Sequence, residues 1–277
     1  MESTAAAAAQ SLNKGNFSSL QHLLQLSYSE DLEQQQRAAV DLARLTEGSV
    51  FPAVSFGPLA HALCRLVPSS NRTVVSYASK AVKLLILDDA LRPQAVAVGV
   101  PAIVCSALAA WKDEPLCARE LLGALQTLCW DKQCVKVVLA SLSQAEHGGG
   151  GALIAQLTEF IASPDTEISI LALATMANLM SYCDSLMLQD KVLIDLLLLP
   201  LPALLDAMRS AQHRSQRFYA LAAVANASAH PLLAAALNAG GGLALCRDVE
   251  RQSLANLHIL GSKVSTHALQ CQACKRH

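Results

Sequence analysis

The chain has 277 residues, a formal net charge of -1, 53% hydrophobic residues and only 4% aromatic ones. That length can bury a large core, and the scarcity of aromatic side chains disfavours a sheet sandwich. With 16% charged residues in near balance, no global attraction to nucleic acid or anionic lipid arises.

Taken in chain order, residues 1–16 form an Ala-rich lead-in. Met1-Glu2-Ser3-Thr4-Ala5 lacks the basic start of a secretory signal, and the apolar run Ala5 to Ala9 is short. A phrase then recurs. A turn rich in Gly or Pro enters a short apolar helix, and a small polar break leads to a longer Ala/Leu-rich helix. Ala39 to Leu45 aligns with Ala81 to Leu87, 42 positions on, and then with Leu122 to Leu128, 41 further. Looser copies follow at Ala172 to Leu179 and Ala220 to Ala227. Apolar residues at i, i+3 and i+6 or i+7 mark one buried helix face in each. Repeats of about 40 to 50 residues belong to stacked helical pairs or triplets, whose product is a surface.

The punctuation agrees. Gly57-Pro58, Gly99-Val100-Pro101, Pro200-Leu201-Pro202 and Gly240-Gly241-Gly242 each read as a turn before a short apolar run. Ser70-Asn71-Arg72-Thr73 and Ser163-Pro164-Asp165-Thr166-Glu167 read as capped entries to long helices. Gly148 to Gly151 lack the strand and the Gly-Lys-Ser/Thr ending of a phosphate loop, and read as a flexible linker. Val192 to Met208 is interrupted by Asp195, Pro200, Pro202 and Asp206, which suits a buried helix pair better than a membrane span. No strand pattern appears. Nine cysteines without obvious pairing fit a reducing compartment, so a cytoplasmic or nuclear location is expected.

Val98-Gly99-Val100-Pro101-Ala102-Ile103 and Asn238-Ala239-Gly240-Gly241-Gly242-Leu243 resemble the armadillo repeat's turn into its second helix. Ala177-Asn178-Leu179, Ala225-Asn226-Ala227 and Ala255-Asn256-Leu257 are similar to its third-helix signature. The resemblance covers roughly Phe17 to Val264. It implies an all-α, right-handed α-solenoid of about six armadillo-like repeats over residues 17–264, followed by a tail at 265–277. Gly148 to Gly151 interrupts the fourth unit, and units one and two lack a clear first helix.

In that family, third helices line a concave groove where an Asn clamps an extended ligand, its amide offering both donor and acceptor. The ladder position here reads Arg44, Ile86, Thr127, Asn178, Asn226 and Asn256, so only the last three match. The Trp that nuclear-import adaptors place one turn earlier is replaced by Ala174, Ala222 and Gln252. Nuclear-signal binding therefore does not carry over. Arg37, Lys83, Glu120, Tyr182, Tyr219 and His230 would share these faces as a mixed surface. The expected partner-binding residues are Asn178, Tyr182, Tyr219, Asn226 and Asn256. The competing reading is that the asparagines bond the backbone of a neighbouring repeat.

Trp111 and Trp130 sit at helix ends, with packing as the default role and Trp130-Asp131 as a groove candidate. His267, Cys271, Cys274 and His277 are zinc-ligand types at compressed spacing, better read as a plain tail than as a metal site. His22, His61, His213 and His258 are scattered singly, and no catalytic or nucleotide motif is present. No cofactor, metal or small-molecule substrate is expected. The implied function is a non-catalytic scaffold or adaptor that binds a protein segment in the groove. The alternative is an exchange factor or co-chaperone gripping a folded GTPase or ATPase domain.

Overall fold

The computed structural model describes residues 20–48, 53–143, 149–182, 191–210, 212–242, 244–248 and 251. The chain divides into two compact units, Met1–Leu128 and Cys129–His277. Secondary structure among the described residues is helical, without strands.

In the first unit, residues 20–27 form α1, followed by α2 (Leu32–Gly48), α3 (Ala53–Leu66) and α4 (Arg72–Leu85). Then come α5 (Arg92–Ala97), α6 (Val100–Ala110) and α7 (Pro115–Leu128). The long helices α2, α4 and α7 stack in that order, with α3 packed on α4 and α6 on α7. A stacked helix must be apolar on more than one side. Accordingly α7 buries Leu121, Leu122, Ala124, Leu125 and Leu128 completely, and each such leucine contributes about 1.5–3 kcal/mol of transfer free energy.

The second unit repeats the scheme with α8 (Lys132–Ser143), α9 (Gly149–Ile161) and α10 (Thr166–Ser181). The next triplet is α11 (Lys191–Leu198), α12 (Leu201–Ser210) and α13 (Arg214–Ala227); α14 (Pro231–Ala239) and residues 244–248 begin a sixth repeat. Helices α10 and α13 stack as the long third helices, while α9 supports α10 and α12 supports α13. The residues expected to complete the sixth repeat, Asn256 and His258 among them, lie outside the described residues. So do the 265–277 tail with its possible zinc ligands, and the lead-in 1–16.

The long helices start where local chemistry satisfies their first N–H groups. Asn71 Oδ1 accepts from the N–H of Thr73 (2.9 Å) and of Val74 (3.3 Å), and Asp165 Oδ1 from Glu167 (2.9 Å) and Ile168 (3.2 Å). Both caps were expected from the sequence. A further device precedes them: Ser29, Ser69 and Ser163 each accept the N–H of the residue two positions on, at 3.1, 3.2 and 3.2 Å. That residue is Asp31, Asn71 or Asp165, the cap of α2, α4 or α10. The serine holds the capping residue, and the cap holds the helix.

Helix α4 ends against a buried arginine. Arg92 donates its Nε to the carbonyl of Ile86 (2.9 Å) and Nη2 to that of Leu87 (3.2 Å), and also pairs with Asp89. A guanidinium can answer carbonyls that a helix C-terminus leaves without partners. The next turn uses Gly99 at φ +82°, a left-handed conformation free of strain only for glycine, with Pro101 just inside α6.

Two expectations about breaks are corrected. Gly57 and Pro58 lie inside α3, which already begins at Ala53. Pro58 is the sixth residue of that helix, which continues past the one main-chain bond the proline removes. Gly149 to Gly151 form the first turn of α9 instead of a linker, while Gly148 lies outside the described residues. The apolar face from Leu153 to Ile161, buried at Leu153, Ile154, Leu157 and Phe160, holds that helix despite its glycine start.

Candidate functional site

The seam between α10 and α13 has a countable register. Gln216 Nε2 donates to Ser169 Oγ at 3.0 Å, a separation of 47 residues, and Asn226 Nδ2 donates to the Ala177 carbonyl at 2.8 Å, a separation of 49. The two helices therefore run parallel with an offset near 48. Ser169 Oγ in turn donates to the Ile161 carbonyl at 2.8 Å, tying the seam to the end of α9. At this offset Asn178 stands beside Asn226, and Ala174 beside Ala222.

The expected site residues fall as follows. Asn178 and Asn226 are half-buried neighbours on adjacent helices. Tyr182 follows Asn178 by one turn, at the C-terminal cap of α10, and its hydroxyl donates to the Trp130 carbonyl at 3.2 Å. Tyr219 lies on α13 two turns before Asn226, half-buried against the edge of Phe218, with ring centroids 5.2 Å apart and planes at 75°. The structure thus gathers Asn178, Tyr182 and Asn226 toward the C-terminal ends of the two helices, and sets Tyr219 toward the other end. Asn256 falls outside the described residues.

Asn226 carries the packing role that the sequence left open beside the binding role, because its amide donor is bound to the backbone of the neighbouring repeat. His230 is corrected outright. It is only 5% exposed, at the start of α14, and so belongs to the core instead of a groove surface. Trp130, for which packing was the default, is 45% exposed. Phe218 was missed by the sequence reading and is 48% exposed. Residue identity does not say which of two adjacent rings turns outward; the register of α13 against α10 does.

In the first unit the ladder position is mostly not a surface. Ile86 is buried just past α4, and Thr127 is buried with its hydroxyl bonded to the Gly123 carbonyl at 2.9 Å. Arg44 is exposed and shares Asp41 with Arg37, at 3.2 and 3.9 Å. Lys83 crosses from α4 to Glu120 on α7 at 2.6 Å, and Lys80 pairs with Glu47 of α2, a hydrogen bond that raises the lysine's pKa. Lys83 reaches Glu120 over Gly123, where an added Cβ would lie 2.8 Å from Lys83 Cδ. These charges are answered within the unit, and exposed pairs of this kind contribute little net stability.

The cysteines behave as core residues. Cys117, Cys129, Cys134 and Cys246 are buried, and burial pushes the thiol of Cys64 up to about 11 and that of Cys105 to about 12. Among the described residues, no cluster of His, Cys, Asp and Glu could hold a metal ion. No described helix is long and apolar enough to cross a membrane.

No family model matches this chain, and no curated protein matches its sequence. Solved structures do match its fold. An engineered protein from a structural genomics consortium is similar over 93% of this chain and 94% of its own, with a TM-score of 0.69 and 21% identity. A computationally designed armadillo repeat protein for modular peptide recognition is similar over 92% of this chain and 98% of its own, with a TM-score of 0.67 and 16% identity. Likeness at such low identity is one of fold, and together with the helical triplets it makes the chain an armadillo-like α-solenoid of about six repeats.

Proposed function

We propose that the chain is a non-catalytic adaptor that holds a segment of a protein partner on the third-helix face of its second unit. The observation that carries this reading is the pairing of α10 and α13, which sets Asn178, Tyr182, Tyr219 and Asn226 on adjacent parallel helices. Asn256 would extend the row in the sixth repeat. A platform of stacked helices presents such side chains without rearrangement, which lowers the cost of binding. The designed protein of similar fold was made for modular peptide recognition, and the same use of the surface is the simplest for this chain. Free, buried cysteines accord with a reducing cytoplasmic or nuclear setting.

The test is affinity capture with the full chain, followed by calorimetry on the captured protein. Asn178→Ala and Tyr219→Ala should each weaken binding by about 1–2 kcal/mol, and Tyr77→Ala in the first unit should not. Binding that responds only to the first unit would refute this placement. Accelerated nucleotide release from a captured GTPase or ATPase would favour the exchange-factor alternative.

A further inference from the structure

We draw no further inference here: the strongest candidate, the apolar stretch of Phe218, Ala222 and Ala225 on the α10–α13 face, belongs to the surface already proposed for partner binding, and nothing in the structure shows what covers it.

Discussion

Asn226 on α13 donates its side-chain amide to the main-chain carbonyl of Ala177 on α10, at 2.8 Å and across 49 residues of sequence. With the Gln216–Ser169 bond, it sets the register in which the second unit's third helices meet. The amide that the proposed site would use is thus part of the frame.

Stability should therefore respond to this residue before any partner is present. Asn226→Ala is expected to cost about 1 kcal/mol, the usual net value of one such hydrogen bond. Asn226→Asp should cost at least as much, since a carboxylate has no donor for the Ala177 carbonyl. Urea unfolding with an unchanged slope checks both variants. A wild-type midpoint for Asn226→Ala would show the bond to be dispensable.

At the Lys83–Glu120 bridge, the lysine chain lies across Gly123. Gly→Ala inside a helix normally stabilises by about 0.5–1 kcal/mol. That gain should appear in a Lys83→Ala background and shrink or reverse when Lys83 is present, because the new methyl displaces the lysine. A double-mutant cycle on thermal unfolding measures the coupling. Additivity within about 0.3 kcal/mol would mean that the lysine simply moves aside.

Helix caps give a third expectation. Asn71→Ala and Asp165→Ala should each destabilise by about 1 kcal/mol. The cap of α13 is weaker: His213 Nδ1 accepts from the Ser215 N–H at 3.3 Å. His213→Asn supplies a better acceptor and should stabilise by a few tenths of a kcal/mol. Denaturation midpoints that move the other way would show that the imidazole has a second role.

The half-buried thiols of Cys64 and Cys105 predict alkaline sensitivity. Cys64 and Cys105 hold their protons to about 11 and about 12 in the folded chain, against an ordinary value of 9.0. Below about pH 9 both states keep the proton and stability is unaffected. Above it the unfolded chain ionises first, so stability falls as pH rises toward the folded values. Cys105→Ala should flatten the decline measured between about pH 8 and pH 10.5, once corrected for its own cavity cost at neutral pH. An identical slope in variant and wild type would mean that this thiol is not the one shielded.

Much of the fold was legible because its determinants are local. A helix face repeats every three or four residues, an Asn or Asp cap acts over two or three, and Gly99 and Pro101 make their turn between themselves. Even so, the serine that fixes each cap was passed over at Ser29 and Ser69, because its bond runs to backbone and leaves no trace in hydropathy. In the sequence Pro58 and Gly149 read as breaks because local propensity disfavours helix there. Packing of the residues that follow outweighed a lost bond in one case and chain entropy in the other.

By itself the sequence determined an all-α chain of repeated helical units, since periodicity and punctuation are written in consecutive residues. It also reduced the asparagine row to Asn178, Asn226 and Asn256. Only the tertiary structure decided that Phe218 turns outward beside Tyr219, that His230 is buried, and that Asn226 binds its neighbour. The bond of Asn226 depends on the phase of one helix against another nearly fifty residues away, and no periodicity within a single helix can carry that phase.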